Sequence, residues 1–536
     1  MVSNPRMQRL ATLWMNPARL RAVVAVLGGA GAGCAAEAMP SAGTEGSGEE
    51  GIGSQSGGSG SSSDSDVSVS ASITASTSTS TSASTSASSS TSTTAPETST
   101  GADSSGSVAD TGTSTDGSGS TSASTDEDST GGCGNSGPSV IEFSYIWIAN
   151  STQGTVSKIN TQDATEVGRY LVDDYEGQSI SNCQGPSRTS VNLDGDVAVL
   201  DRGGGLAKFI ADPELCPDAD VDGAVQTATD ANYLAWGEDE CLAWQIDVPH
   251  SGNGCDGPRA VQWTAPDQID ACTLDDPRLW VAFCNANDSD VTVWMINGAD
   301  GTVEVEIPVE NYNCSTYGPY GGVVDANNDF WFVDRSAGQS LFRVEYGCQP
   351  VNPGDCWESF AQPDGEDAYG ITIDATGRIW MAGSGNSLYF FDPATAMFTS
   401  LQPQLDDYFA NAAPPDANPS NTLRGLMSDE QGVLWIASIA DGGWGGGANP
   451  GLLRVDPETD PIEIDFFGPN TLGGIQHAAG ISIDVEGYVW LVDTLGDQAF
   501  KLDPVDPASH VVVGGLQYPY TYSDMTGFAL SQIVPG

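Results

Sequence analysis

The sequence predicts an all-β protein, a seven-bladed β-propeller with its C-terminal strand closing the first blade, preceded by a disordered Ser/Thr-rich linker. Three observations carry that expectation. A hairpin pattern, Gly-x-x-x-Asp-x-x-Gly-x-apolar-Trp, runs from Gly321 to Trp331, Gly370 to Trp380, Gly425 to Trp435 and Gly480 to Trp490. A second hairpin turning on Asp-Pro follows most copies, as in "SLYFFDPATAMFTSL" and "GLLRVDPETDPIEIDFF". The two ends of the chain each carry half a unit. Two hairpins make four strands, and a spacing of about 50 residues marks propeller blades.

The elements follow in chain order. Residues 1–33 have the order of a secretory signal: Arg19 and Arg21, an apolar run from Ala22 to Leu27, then small residues up to Cys34. The run is too short to span a bilayer. Residues 34–137 form a tether rich in Ser, Thr, Gly and Asp, with stretches such as "STSTSTSASTSASSSTSTT". Such a composition buries too little apolar surface to offset the entropy of ordering a backbone, so disorder is expected. A flexible coil of roughly 100 residues spans on the order of 55 Å.

Residues 138–536 are expected to form the propeller, with a disulfide-rich insertion at about 212–277. The first unit holds Trp147 but lacks a Gly-x-x-x-Asp strand ahead of it, whereas "SDMTGFALSQIV" holds an inner-strand pattern around Gly527 with no blade behind it. The two fragments complete each other, which leaves no open edge. Between them lie a degenerate copy with Gly195 in the turn and Ala198 at the Trp position, a copy recovering at Trp280, and the four clear repeats. In the copy ending at Trp331, Asn328 takes the place of the turn glycine.

Charge and cysteines bound the function. The chain has 72 acids and 17 Lys plus Arg, a net charge of −55, which disfavours nucleic acid and anionic membrane surfaces as partners. Of its 11 Cys, ten lie between Cys133 and Cys356, an even number suited to disulfides in an exported chain. Cys348 and Cys356 form a plausible local pair.

Strand order points to the functional face. The stereotyped Asp-x-x-Gly and Asp-Pro turns share one face, so the variable connections share the other, where recognition usually sits. Residues just ahead of the inner-strand glycines should face a central funnel: Tyr320, Tyr369, Arg424, Ala479 and Thr526, with Arg188 and Arg259 in the degenerate blades. Asp201, Asp334 and Asp493 at neighbouring strand ends offer hard oxygen ligands for Ca²⁺ or Mg²⁺. A second candidate metal set is "PDADVDGAVQTATD", where Asp218, Asp220, Asp222 and the Ala224 carbonyl are spaced as in an EF-hand loop, with Thr229 in place of the closing Glu. That set would hold a structural calcium.

The units "YGITIDATGRIW" and "LLRVDPET" resemble those of the streptogramin lyase (virginiamycin B lyase) propellers, and more distantly NHL and gluconolactonase-like propellers, over roughly Ser139 to Val534. The small residues before Cys34 resemble a bacterial lipoprotein signal, with Gly31 where Leu is usual, so Cys34 would be lipidated and the protein held at the cell envelope, in the outer membrane or at the cell surface. The lyase resemblance implies magnesium-dependent elimination by a His just before an inner-strand glycine, with Glu residues holding the metal. No His occupies that place; His477, three residues ahead of Gly480, is the nearest candidate base, and no Glu follows a repeated Trp-x-x. The expected function is therefore a lipid-anchored, monomeric binding or scaffold propeller taking a small-molecule or protein ligand at the funnel. A divalent-metal-dependent lyase or lactonase-like hydrolase is the alternative.

Overall fold

A computed structural model describes residues 144–533 except 176–178, 182, 251–256, 271–272, 286–289, 311, 313, 315–316, 336–339, 353 and 442–448. All belong to the compact unit Thr130–Gly536. The signal, the tether, Cys34, Cys133, Cys255 and Cys272 lie outside the described residues.

Seven antiparallel sheets make the seven blades. Six have four strands, beginning at the axis with Pro186–Val191, Ala260–Trp263, Pro319–Val324, Gly370–Ile373, Asn421–Ser428 and Ala478–Ile483. The first sheet has three strands, Tyr145–Asn150, Thr155–Asn160 and Thr165–Leu171. The chain's end supplies its missing inner edge. Trp147 N donates to the Met525 carbonyl at 2.9 Å, Tyr520 N to Ala149 at 3.1 Å and Ser151 N to Tyr518 at 3.3 Å, with an antiparallel bridge between Asn150 and Pro519.

This closure differs in register from the expected one. The closing segment is Tyr518 to Met525, ahead of Gly527, and it pairs irregularly. Gly527 has φ +80° and turns the chain into a short helix, Phe528–Ile533. Asp524 caps that helix, accepting from Gly527 N at 2.9 Å and Leu530 N at 3.2 Å. Leu530 packs with Val324 and Phe330, and Gln532 donates to the Ser428 carbonyl, so the helix stops the axis on the side of the Asp-x-x-Gly turns.

The stretch expected as one insertion over about 212–277 is not one. Its last part contains two regular strands, Leu242–Asp247 of the second blade and Ala260–Trp263 of the third. The true excursion connects Gly205–Phe209 to Leu242–Asp247, and the Cys216–Cys241 disulfide ties its ends. A separate small hairpin, Gln268–Asp270 with Thr273–Leu274, extends the inner turn of the third blade. The lengthened turn of this blade blurred the end of the insertion, although Arg259 was expected at the start of its inner strand. Cys348 pairs with Cys356 as expected, and Cys284 pairs with Cys314.

The repeated residues act as one device. In each clear copy the Trp indole donates to the Asp six residues earlier: Trp331 to Asp325 at 3.0 Å, Trp380 to Asp374 at 2.8 Å, Trp435 to Asp429 at 3.1 Å and Trp490 to Asp484 at 2.9 Å. The other carboxylate oxygen closes the turn, as Asp374 does for the N–H groups of Thr376 and Arg378. The turn glycine is required by φ, +84° at Gly377 and +83° at Gly432 and Gly487; Asn328 adopts +64° in its place. The first glycine of the pattern has a different reason. A Cβ on Gly370 or Gly480 would collide with the carbonyls of Arg424 and Thr521 respectively, so the inner strands can pack this closely only without one. All four Trp are buried, each contributing about 2 to 3 kcal/mol by area.

Candidate functional site: an arginine and tyrosine cluster on the axis

The inner strands deliver side chains to the axis in period two, and at the start of each strand these side chains meet. Tyr320 and Tyr369 come from the fourth and fifth blades. Tyr520 and Tyr522 come from the closing segment, which alternates them with Thr521. Their hydroxyls form one network: Tyr522 to Tyr320 at 2.9 Å, Tyr520 to Tyr522 at 2.8 Å, Tyr320 to Tyr520 at 3.4 Å, and a short contact between Tyr369 and Tyr520. All four rings are buried.

Five arginines surround this quartet. The guanidinium carbons of Arg188, Arg259 and Arg335 lie 5.1, 5.0 and 5.2 Å from the centre of the Tyr320 ring. Arg188 also stacks at 3.4 Å on Tyr522, Arg202 lies 5.0 Å from Tyr520, and Arg335 and Arg424 lie 4.4 and 5.1 Å from Tyr369. Planar, weakly hydrated guanidinium groups suit such packing. Backbone carbonyls position them: Arg188 Nε donates to Tyr320 at 3.1 Å, Arg202 Nε to Gly185 at 3.2 Å, and Arg259 Nη1 to Gly257 at 2.9 Å. Among the described residues Arg188 Nη1 has no hydrogen-bond partner although it is buried.

Asp367 lies 3.9 Å from Arg335. Asp201 precedes Arg202, but burial pushes its carboxyl up to about 8, so it is largely neutral at pH 7. The arginines act on the tyrosine network in turn. Burial alone would raise the Tyr320 phenol, yet Arg259, Arg335 and Arg188 outweigh it and bring it down to about 6. Its neighbours move the other way: burial, together with the charge on Tyr320, raises Tyr369, Tyr520 and Tyr522. The crowding of guanidinium groups thus favours the ionised form at Tyr320 over its three neighbours.

The other expected residues sit elsewhere. His477 is buried, its backbone N–H held by Asp493 at 2.7 Å, and burial together with Arg424 lowers its pKa to about 3. Asp493 accepts from His477 N, Gln476 N, Gly496 N and Gln498 Nε2, which fixes the loop before the last blade. Asp201 accepts from Gly203 N, and Tyr312 lies against Asp334. Asp201, Asp334 and Asp493 come from three different blades and do not gather into a metal-holding group among the described residues. Five guanidinium groups at the same place would oppose a dication. The funnel therefore does not fit the magnesium that the lyase resemblance implies. Of the two further positions expected at the funnel, Ala479 packs beside Tyr520 and Tyr522, while Thr526 bonds the Ile483 carbonyl below them.

In the excursion, Asp218, Asp220 and Asp222 do converge, each offering an oxygen within 4.8 Å of the others. Gly223 takes φ +97°. Glu240, carried back by the Cys216–Cys241 disulfide, accepts from Ala219 N at 2.6 Å and Gln226 N at 2.7 Å and so braces the loop. No sequence spacing within the loop could have shown that residue.

Sequence reasoning missed Arg202 and Arg335, and it expected the segment that carries Tyr520 and Tyr522 on the functional face without singling out either tyrosine. The first two directly follow the strand-end aspartates Asp201 and Asp334, and the tyrosines alternate in "PYTYSDMTG"; both signals were legible as spacing.

No family model matches the sequence, and no curated protein matches it. Among solved structures it is similar to a periplasmic gluconolactonase from Pseudomonas aeruginosa, at 14% identity over 71% of this chain and 97% of that one, TM-score 0.44. It is also similar to a catalytically inactive virginiamycin B lyase from Staphylococcus aureus solved with quinupristin, at 14% identity over 63% and 85%, TM-score 0.38. A nidogen/laminin complex matches at 15% identity over 44% and 79%, TM-score 0.31. The fold of the chain rests on its own strand pairing and its function on its own residues.

Proposed function

We propose that this chain is an exported binding propeller that recognises a ligand at the mouth of its axis without turning it over. The observation that carries the reading is the content of the axis: five guanidinium groups and four phenols, with the candidate metal carboxylates dispersed over separate blades. A general base needs a pKa near the working pH and reach to its proton. His477, lowered to about 3 by burial and Arg424, is a weak base held beneath the surface. Arg and Tyr are the residues that carry binding energy in buried anchors.

The disulfides indicate an oxidising compartment, and no helix among the described residues is long and apolar enough to cross a membrane. Lipidation of Cys34 and display on the 34–137 tether complete the proposal, resting on sequence alone, as do a monomeric state and the exclusion of nucleic acid. A structural calcium at Asp218, Asp220, Asp222 and the Ala224 carbonyl belongs to it too, with calcium raising the melting temperature of wild type but not of Asp222→Asn.

The test is turnover and binding on one preparation. Incubation with lactones, esters and cyclic depsipeptides, with and without magnesium, should give no product. Turnover that requires magnesium and is abolished in His477→Ala would replace this reading with the lyase one.

A further inference from the structure

We infer that the axis holds a single chloride ion, bound by Arg188 Nη1 in a small cavity beneath the tyrosines. This ion belongs to the scaffold under the mouth, whatever the mouth binds. Arg188 comes from the inner strand Pro186–Val191, and it is wholly buried. One edge of its guanidinium is taken up by a neutral group: Nε and Nη2 both donate to the Tyr320 carbonyl, at 3.1 and 2.5 Å. The Tyr522 ring covers it at 3.4 Å. Because the fork is planar, holding one edge and one face fixes where the remaining corner points. That corner is Nη1, a buried donor with no partner among the described residues.

The cavity lies beside that guanidinium. Arg188 lines it together with Gly321 and Gly370 of two adjacent inner strands, and with Leu426, Met427 and Ala529. Tyr369 and Tyr522 border it towards the mouth, and the helix Phe528–Ile533 closes the axis below. It has room for about one water molecule. A chloride ion is only slightly larger, whereas a carboxylate or phosphate group is too large to enter. A buried donor left without an acceptor is costly, and more so when it is charged.

The walls favour an ion that only accepts. A water molecule must place its own two hydrogens as well as accept from Nη1, so it needs several polar partners. The side chains of Val323, Ile371, Leu426 and Ala529 offer none, and the Thr372 hydroxyl is turned to the Met427 sulfur. Asp524 also borders the cavity, but its carboxylate accepts from Gly527 N at 2.9 Å and Leu530 N at 3.2 Å, so its charge is met by the start of the helix. Chloride needs donors alone: Nη1 supplies a charge-assisted bond, and the Gln262 amide, also in the wall, can donate to the same ion. Held there, the ion would fix Arg188 from below. Arg188 stacks on Tyr522 and lies 5.1 Å from the Tyr320 ring, so the ion acts as a structural cofactor of the cluster above it.

Two measurements on the full chain test this assignment. Crystals grown in sodium chloride should show, at long wavelength, an anomalous peak within hydrogen-bonding distance of Arg188 Nη1. Density there without anomalous signal would be a buried water, and absent density an empty void; either overturns the chloride. Melting is then compared in sodium chloride and in sodium gluconate, whose anion cannot enter the cavity, at equal ionic strength. Chloride should raise the wild-type midpoint by about 2 °C or more. Ala529→Val, which fills the cavity and leaves Arg188 intact, should still unfold cooperatively but lose both the rise and the peak. A rise kept in Ala529→Val would come from another site and overturn the assignment. A wild-type peak with no chloride-specific rise would mark an adventitious ion only, and overturn it too. If Ala529→Val fails to fold, the wild-type peak and midpoint decide alone.

Discussion

The two ends of the axis are built from the same strands and have opposite characters. At the turn end, four blades repeat one latch, an Asp whose two oxygens hold a turn and a Trp indole. At the mouth, the corresponding inner-strand positions hold three kinds of residue: arginine at Arg188, Arg259 and Arg424, tyrosine at Tyr320 and Tyr369, and Ala479. A single blade cannot bury its faces, so selection for packing keeps the latch constant. Nothing in packing demands that these six mouth positions agree, and variable positions on a rigid scaffold are where recognition usually sits. The contrast extends to charge: a chain of net charge −55 gathers five of its 17 Lys and Arg residues around four tyrosines.

The widest break in this comparison would come from the segment that serves both ends. Residues 518–525 supply the inner edge of the first blade and two of the four tyrosines, and the helix that follows closes the turn end. Deleting residues 518–536 should abolish the cooperative unfolding transition, read by circular dichroism in urea. A deletion chain that still melts in one sharp transition would show that the ring holds without its closure.

A latch residue should come next. Asp374→Ala removes the acceptor for the Trp380 indole and for two turn N–H groups, and leaves Arg378, whose Nε lies 2.6 Å from that carboxylate, with Glu458 at 2.7 Å as its remaining ion pair. Loss of about 3 kcal/mol is expected from these unsatisfied groups, with ligand binding at the mouth unaffected. Destabilisation under about 1 kcal/mol would mean that the Trp burial alone, and not the latch, holds the blade.

Asp201 tests the mouth end by pH. Burial raises it from 3.8 to about 8, with its hydrogen bond from Gly203 opposing the shift. The folded state then holds this proton more tightly than the unfolded chain. The contribution is fully present below about 4 and lost as pH rises through about 8. Asp201→Asn, which cannot ionise, should therefore melt several degrees above wild type at pH 9, with the gap narrowing towards pH 4. A gap independent of pH would show that the carboxylate is ionised and compensated in the folded state.

How much of this was legible in the sequence follows from the same contrast. The turn end was legible because its residues recur: Gly377, Gly432 and Gly487 all need positive φ, and each Trp sits six residues after its Asp. At the mouth, Tyr320, Tyr369, Arg188, Arg259 and Arg424 were placed on the axis from strand register alone. Their meaning was not legible, because the charge of the cluster depends on Arg202 and Arg335, one residue past the strand-end aspartates, and on tyrosines from the far end of the chain. The aspartates drew attention as metal ligands. Only three-dimensional placement shows Asp493 occupied by four donors and Asp201 pushed towards neutrality. The third blade was misjudged for a related reason: its hairpin extension removed the spacing on which the repeat is recognised.

The smallest effect sharpens the comparison at a position where the repeat itself departs from pattern. Asn328 occupies the turn glycine's place at φ +64°, a conformation that Asn tolerates better than most residues but glycine tolerates best. Its amide also reaches the neighbouring blade, accepting from Ala265 N at 2.8 Å and donating to the Ala265 carbonyl at 3.1 Å. Ala265 begins the lengthened turn of the third blade, so the departure in one blade answers the departure in the next. Asn328→Gly should relieve the backbone and lose both bonds, for a net cost of about 1 kcal/mol or less. Asn328→Ala loses the bonds and keeps the unfavourable φ, so it should cost about 1 to 2 kcal/mol more. Equal costs for the two variants in urea unfolding would show that φ is immaterial at this turn. A stabilising Asn328→Gly would show that the contacts to Ala265 contribute nothing.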